Sequence, residues 1–231
     1  LNNWTFKIFS IIILAWAISK KKFFFIFFSI ALIILQFGFS GHKSSLTGLF
    51  LVPFFYVMYK QKDSKKLIII GFIFLLVFNL LLARSEDNML WVSILIRRMF
   101  FTPANLNNVY FEFFDKNPFY YWSNSSFQVF NLNLNYDISL SFVIGRYLGD
   151  YTLGANTGFI ASGYAQAGLV GIILYTTIVI FLMNVINTIA KKRELYIVMS
   201  LLIMPLSVLY TSSDLPTSFI THGVLLGTLL L

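Results

Sequence analysis

Residues 168–189 read GLVGIILYTTIVIFLMNVINTI, an apolar run without a single charged side chain. A helix needs roughly 20 such residues to cross the hydrocarbon core of a bilayer, so this run predicts a membrane-spanning helix. Similar runs predict further helices at roughly 4–19, 23–39, 46–59, 67–83 and 195–210, with a last one beginning near 218. We therefore predict an all-α fold, a polytopic transmembrane helix bundle of about seven spans with a large, partly helical external loop.

The composition agrees with that fold class. Of the 231 residues, 58% are hydrophobic and 11% are charged, and the mean hydropathy is +0.79. These values exclude an ordinary soluble domain. The chain has no cysteine, which excludes disulfides and thiolate metal sites. It begins at Leu1 and ends inside an apolar run, so we interpret it as a piece of a longer protein.

The net charge of +8 comes largely from three short basic clusters between apolar runs. They are Lys20 to Lys22, then Lys60, Lys62, Lys65 and Lys66, and finally Lys191, Lys192 and Arg193. Such clusters mark the cytoplasmic ends of membrane helices, so we expect no nucleic-acid partner. The segments 40–45, 84–157 and 211–217 are then predicted to lie outside.

This topology predicts three regions. Residues 1–83 hold four spanning helices with short loops, residues 84–157 form the large external loop, and residues 158–231 hold about three further spans, the last one truncated. The helix predicted at 46–59 contains Pro53, which predicts a kink. The external loop is too long and too aromatic for a simple connector, so we expect it to fold against the membrane.

Two amphipathic helices are predicted in the external loop. Leu90, Ile94 and Phe101 recur at helical spacing in the first. Thr102 and Pro103 are typical of the start of a second helix. Its apolar face would consist of Leu106, Val109, Tyr110, Phe113 and Phe114. We expect both helices to lie at the outer leaflet.

Four basic residues outside the cytoplasmic clusters are candidates for binding phosphate. Arg97 and Arg98 lie in an aromatic stretch, and a guanidinium can pair with two phosphate oxygens at once; lipid headgroups or Glu86 are the alternative partners. Arg146 lies between Gly145 and Gly149, which would allow close backbone approach to a ligand, or it could pair with Asp150 or Asp137. Lys43 precedes a predicted helix, where an anion is favoured, or it is an ordinary turn lysine.

Three carboxylates predicted to be external could act as a general base, namely Glu112, Asp115 and Asp214. Their spacing does not mark a catalytic pair, so surface or capping roles are the alternative. His42 and His222 lack the spacing of metal ligands, and we predict no catalytic metal. Gly163, Ala167 and Gly171 recur every four residues, which predicts a stripe for close helix packing.

Two segments resemble the external loop of Wzy-type oligosaccharide repeat-unit polymerases. The first runs from Arg97-Arg98-Met99-Phe100-Phe101-Thr102-Pro103 through Tyr110-Phe111-Glu112 to Tyr120-Tyr121-Trp122-Ser123. The second is Asn156 to Gly168, which reads NTGFIASGYAQAG and leads into a predicted span. Residues 40–44, SGHKS, are a weaker third match. The resemblance covers residues 40 to about 190.

The resemblance implies a metal-independent glycosyltransferase of the bacterial inner membrane, without a cofactor. Such enzymes join repeat units of O-antigen or capsule that are held on undecaprenyl pyrophosphate, at the outer face of that membrane. The nascent chain passes to a hydroxyl of the incoming lipid-linked unit. The implied partners are the undecaprenyl-pyrophosphate-linked oligosaccharide and the lipid bilayer, with a chain-length regulator and a flippase as further candidates.

The resemblance also suggests site residues. Arg97, Arg98 and Arg146 are the catalytic candidates, because fixed cations stabilise the negative charge on a leaving pyrophosphate. Candidates for substrate binding are Lys43, Glu112, Tyr120, Tyr121, Trp122 and Asn156. Tyr120, Tyr121 and Trp122 would stack on sugar rings in a groove, although an interfacial aromatic belt explains them equally well.

Three other functions fit parts of the pattern. An O-antigen ligase would use a similar lipid-linked donor but a lipid A core acceptor. A flippase or transporter for lipid-linked sugars would need charged residues inside its spanning helices, and these are nearly absent apart from Lys7. A structural membrane protein would tolerate loss of the external arginines.

Overall fold

The computed structural model describes residues 8–40, 44–60, 64–82, 101–123 and 136–231. Ten α-helices and no strand occur in these ranges, as an all-α fold requires. The helices are α1 (Ser10–Ser19), α2 (Phe23–Ser40), α3 (Ser44–Lys60), α4 (Ser64–Leu82), α5 (Thr102–Lys116), α6 (Leu140–Tyr147), α7 (Phe159–Ala190), α8 (Leu195–Thr211), α9 (Leu215–Ile220) and α10 (Val224–Leu229). The all-α prediction is therefore confirmed.

The chain divides into two compact units. Unit 1 comprises Leu1–Ile70, Met183–Leu206 and Phe219–Leu231, and unit 2 comprises Gly71–Leu182 and Ser207–Ser218. The boundary predicted between the first spans and the external loop, at residues 83 and 84, lies outside the described residues.

Unit 1 is built on helices α1, α2 and α3, which pack against one another. Each contributes an almost fully buried aliphatic side chain to the same core, Leu14 from α1, Ile33 from α2 and Val52 from α3. Tyr196 at the start of α8 completes this core, with its ring 5.4 Å from that of Tyr56. Pro53 lies inside α3, as predicted from the sequence.

One helix in the described part of the chain, Phe159–Ala190, is long and apolar enough to cross a membrane. Its most apolar window has a mean hydropathy of 2.5. Four shorter apolar helices or helix parts coincide with predicted spans, Ser10–Ser19, Phe23–Phe39, Gly48–Tyr59 and Leu195–Thr211. Helices therefore occur where the apolar runs predicted them, and the number that crosses a membrane stays a prediction.

Helix α7 is two helical arms joined by a break. Ala167 (φ −156°, ψ 33°) and Gly168 (φ 61°, ψ −141°) leave the helical conformation. The conformation of Gly168 is one that residues with a Cβ rarely adopt. The second arm, residues 169–190, keeps the length that a span needs.

The break brings the two arms into contact through glycines. A Cβ on Gly171 would overlap the carbonyl oxygen of Gly163, and a Cβ on Gly163 would lie 3.1 Å from the Tyr175 ring. The prediction that Gly163, Ala167 and Gly171 form one stripe on a single helix is therefore wrong, because Ala167 lies in the break. The small residues do allow close packing, but between the arms of the same element.

Helix α5 is the second predicted helix of the external loop, and its apolar face is confirmed. Tyr110 and Phe114 are buried, and Leu106, Val109 and Phe113 pack against the same core of unit 2. Phe101, not Thr102, occupies the N-cap position and makes no capping side-chain bond. The apolar face contacts protein in unit 2, and the position of this helix relative to the outer leaflet stays a prediction. The first predicted helix lies largely outside the described residues.

Replacement of Gly171 by alanine tests the contact between the two arms. We expect Gly171→Ala to lower the melting temperature of the purified protein, because the added methyl must push the arms apart, which typically costs about 1–3 kcal/mol. Gly38→Ala on α2 is the matched control, since a Cβ there meets no atom within 4 Å. The melting is measured by circular dichroism. Equal melting temperatures for Gly171→Ala and Gly38→Ala would contradict this packing.

Candidate functional site

Unit 2 contains an open cavity of about 400 Å³. This volume lies in the range of roughly 300–1,000 Å³ that small-ligand pockets occupy. Its lining residues are Phe113, Tyr136, Asp137, Ile138, Val143, Arg146 and Tyr147. An aromatic wall with a guanidinium and a carboxylate suits a ligand that has apolar ring faces and polar or anionic substituents.

Arg146 is the predicted catalytic residue that lies in this cavity. It occupies the last turn of α6. Its guanidinium carbon lies 5.8 Å from the centre of the Tyr151 ring. Asp150, one of the predicted ion-pair partners, instead accepts hydrogen bonds of 2.8 Å from the amide and hydroxyl of Thr152. These two bonds hold the pKa of the Asp150 carboxyl below its ordinary value.

The glycines beside Arg146 serve the packing of the chain itself. A Cβ on Gly145 would overlap the carbonyl oxygen of Leu153, so the loop after α6 folds back directly onto this residue. Gly149 has a φ of 86° and ends the helix in the left-handed conformation typical of helix C-termini. The expectation that Gly145 makes room for a ligand is therefore wrong, because the backbone of Leu153 occupies the space beside it.

Glu112 lies beside the cavity but is already engaged. Its carboxylate accepts hydrogen bonds from Lys116, at 3.1 Å, and from the Tyr147 hydroxyl, at 3.4 Å. The pair with Lys116 is exposed to solvent, so it contributes little to stability. Tyr147 lines the cavity, and Glu112, which contacts Tyr147, does not.

Of the three aromatic residues predicted to line a sugar groove, Tyr120 is buried, Trp122 is half-buried and Tyr121 is exposed. Tyr120 is 2% exposed, stacks on Tyr136, and donates its hydroxyl to the Ile138 carbonyl at 2.9 Å. Burial raises the pKa of Tyr120 to about 12. The Trp122 indole donates to the Tyr175 hydroxyl at 2.8 Å. Tyr121 is 42% exposed, so the groove prediction is wrong for the buried Tyr120 and stays a prediction for Tyr121 and the half-buried Trp122.

The segment around Tyr121 closes the end of the first arm of α7. The amide of Tyr120 donates to the Ala165 carbonyl at 2.8 Å, and that of Tyr121 donates to the Gln166 carbonyl at 3.2 Å. These carbonyls belong to the last turn before the break, where helical partners are lacking. Tyr121 and Trp122 have φ values of 48° and 55°, a costly conformation for bulky residues, so the segment is held by its contacts.

Asp214, in the turn between α8 and α9, is the centre of a second polar cluster. Tyr175 and Ser162, one from each arm of α7, lie near its carboxylate, and the Ser162 hydroxyl itself donates to the Gly158 carbonyl at 3.0 Å. The amide of Leu215 donates to it at 2.9 Å. With the bond from Trp122 to Tyr175, the cluster connects four segments of unit 2 around one carboxylate.

The electrostatics of this second cluster are unusual. Burial raises the pKa of Asp214 to about 6, and the hydrogen bonds from Ser162, Tyr175 and the Leu215 amide limit the increase. The charge of Asp214 and burial together raise the pKa of the Tyr110 phenol. Titration near neutral pH is a property of many functional carboxylates.

The other site predictions do not meet at either cluster or lie outside the described residues. Asn156 is exposed and is not among the residues that line the cavity. Asp115 accepts a hydrogen bond from Tyr164 at 2.7 Å. Lys43, Arg97 and Arg98 lie outside the described residues. Within the described part of the chain, no group of three His, Asp or Glu side chains could hold a metal ion.

Sequence reasoning missed most of the cavity and the importance of Asp214. Tyr136, Asp137 and Tyr147 have no motif of their own, and only the folding of α5 against α6 brings them together. Asp214 did carry a signal, because it is an isolated acid that directly follows an apolar run.

In the part of the chain that the structure describes, the fold is all-helical, one helix is suited to crossing a membrane, and unit 2 contains a small polar and aromatic cavity. No protein-family model, curated protein or solved structure matches the chain.

The raised pKa of Asp214 predicts a specific pH dependence of stability. The folded protein binds this proton more tightly than the unfolded chain does, so the contribution of Asp214 to stability is full below about pH 4. It is lost as the pH rises through about 6. We expect the melting temperature of the wild type to fall across this window relative to that of Asp214→Asn, which cannot titrate. Parallel melting curves from pH 4 to pH 7 would contradict the burial of this carboxylate.

Proposed function

We propose that this chain is part of a multi-pass inner-membrane glycosyltransferase that polymerises lipid-pyrophosphate-linked oligosaccharide repeat units at the outer face of the membrane. The observation that carries this proposal is the open cavity, in which the exposed Arg146 lies beside the aromatic rings of Phe113, Tyr136 and Tyr147. The sequence independently predicts this segment to be external.

The apolar surface of the described helices supports the multi-pass part of the proposal. Phe24 and Phe27 on α2 are 75% and 70% exposed, and Phe74 on α4 is 68% exposed. Exposed apolar side chains along whole helices are costly in water but suit contact with lipid tails. Such helices can cross a membrane because their backbone groups are paired internally.

The cavity supports the carbohydrate part. Aromatic faces contribute large apolar contact areas, and the C–H faces of a sugar ring are a suitable partner for them. The Asp137 carboxylate can accept hydrogen bonds from sugar hydroxyls. The Arg146 guanidinium can bind an anionic group at the same time, and the pyrophosphate of the donor is the anion that this reaction presents.

In the proposed reaction, the bond between the anomeric carbon of the nascent chain and its lipid pyrophosphate breaks. The same carbon forms a new glycosidic bond to a hydroxyl of the incoming unit, which loses its proton. Negative charge grows on the leaving pyrophosphate, so a fixed guanidinium lowers the barrier. Arg97 and Arg98 are proposed to contribute further positive charge to the reaction.

The proposal predicts that Arg146→Gln reduces polymerisation. We expect a loss on the order of a hundredfold in rate, which is typical when one group that stabilises a developing negative charge is removed. The measurement is the ladder of surface glycan on a gel, in a strain whose own copy of the gene is deleted and replaced by the variant. Equal amounts of protein in the membrane must be confirmed by immunoblotting.

Lys116→Gln is the matched control, because it removes one exposed positive charge nearby without lining the cavity. We expect this control to keep a normal ladder. Loss of the ladder with retention of a single capped repeat unit in Arg146→Gln would support polymerisation. A normal ladder in Arg146→Gln would refute the role of Arg146, and loss of even the single unit in the deletion strain would favour a ligase or a flippase.

A further inference from the structure

Unit 1 carries a tight basic turn between α1 and α2. Its lysines, Lys20, Lys21 and Lys22, are consecutive and all exposed. The amide of Lys20 donates to the Trp16 carbonyl at 3.0 Å, and that of Lys22 donates to the Ala17 carbonyl at 2.9 Å. Lys21 has a φ of 54°, which reverses the chain in three residues. The turn therefore holds three ammonium groups close together at one end of the two helices.

The basic turn between α7 and α8 lies at the same end of unit 1. Tyr196, three residues after Arg193, lies in the same core as Ala15 of α1, and Ile18, two residues before Lys20, packs against that core. The rings of Tyr196 and Tyr59 lie 5.7 Å apart, so the end of α3 is near as well. Two basic turns that are about 170 residues apart in the sequence therefore form one surface.

We call this surface the basic rim, and it consists of Lys20, Lys21, Lys22, Lys191, Lys192 and Arg193. Arg193 also donates a hydrogen bond to the Leu231 carbonyl. Glu194 is the one acidic residue in the described part of unit 1. The salt bridge that occurs among the described residues, Lys116 with Glu112, lies in unit 2. The positive charge of the basic rim is therefore largely uncompensated within the described protein.

Exposed aromatic side chains flank the basic rim. Phe23 and Phe24, directly after the turn, are 71% and 75% exposed, and Trp16 is exposed on the preceding helix. Aromatic residues of this kind are enriched at the boundary between hydrocarbon and headgroups, and lysine side chains extend from there toward the headgroups. Aromatic rings at the hydrocarbon boundary and ammonium groups at the level of the headgroups match the layers of one membrane leaflet.

We infer that the basic rim binds the headgroup phosphates of anionic phospholipids in the leaflet that it faces. The phosphodiester supplies the negative charge that the rim lacks, and the acyl chains lie along the exposed rings. Six basic groups on two rigid turns provide more contacts than one headgroup needs, so several lipids can be held together. This binding is independent of the reaction proposed for unit 2.

Native mass spectrometry of the protein in a neutral detergent tests the inference. Delipidated wild type is titrated with phosphatidylglycerol and, separately, with phosphatidylcholine. We expect preferential binding of phosphatidylglycerol. Each basic residue at an anionic surface contributes roughly a fivefold factor in affinity, so Lys20→Gln/Lys22→Gln should bind phosphatidylglycerol about 25-fold more weakly.

Two control variants separate the site from net charge and from folding. Lys7→Gln/Lys116→Gln removes the same number of positive charges from residues outside the basic rim and should bind like the wild type. Lys20→Arg/Lys22→Arg keeps the charge on the turn and should also bind normally.

Three outcomes would overturn the inference. They are equal binding of the two lipids by the wild type, equal weakening by both double glutamine variants, and unchanged binding by Lys20→Gln/Lys22→Gln. Displacement of phosphatidylglycerol by equimolar glycerol phosphate would assign the rim to a soluble phosphate compound instead of a lipid surface, and would overturn it too.

Discussion

The break in α7 is the constraint on which the described part of unit 2 depends. Only glycine readily adopts the conformation of residue 168, and only glycines at 163 and 171 let the two arms touch through their backbones. If the helix were straight, residues 163 and 171 would be about 12 Å apart along its axis. The break leaves the carbonyls of Ala165 and Gln166 without helical partners, and the amides of the segment around Tyr121 satisfy them.

The two polar clusters of unit 2 use charge in opposite ways. Burial disfavours the ionised form of Asp214 and raises its pKa to about 6, and the neighbouring hydroxyl groups and backbone amide limit this increase. Arg146 is exposed and remains accessible to an anion from solution. A buried carboxylate of this kind can hold chain segments together, whereas an exposed guanidinium can bind an anionic substrate.

Much of the fold could be predicted because its signals are local. An uninterrupted apolar run such as 168–189 predicts a helix from its composition alone. The buried face of α5 follows from the spacing of Leu106, Tyr110 and Phe113. The break at Gly168 escaped prediction because a small residue at every fourth position, here Gly163, Ala167 and Gly171, is equally compatible with a continuous helix. The site was predictable only at Arg146, whose exposed charge between glycines was visible without knowledge of its neighbours.

The sequence by itself determined that this protein is helical and rich in apolar surface, because hydrophobic content and periodicity act over one element at a time. It also determined that positive charge is concentrated in short turns. Only the tertiary structure decided that Tyr120 is an interior residue, that Asp214 lies near both arms of α7, and that Tyr136 and Tyr147 share a cavity with Arg146. The reason is that burial and proximity depend on contacts between residues that are far apart in the chain, and spacing along the sequence carries no information about them.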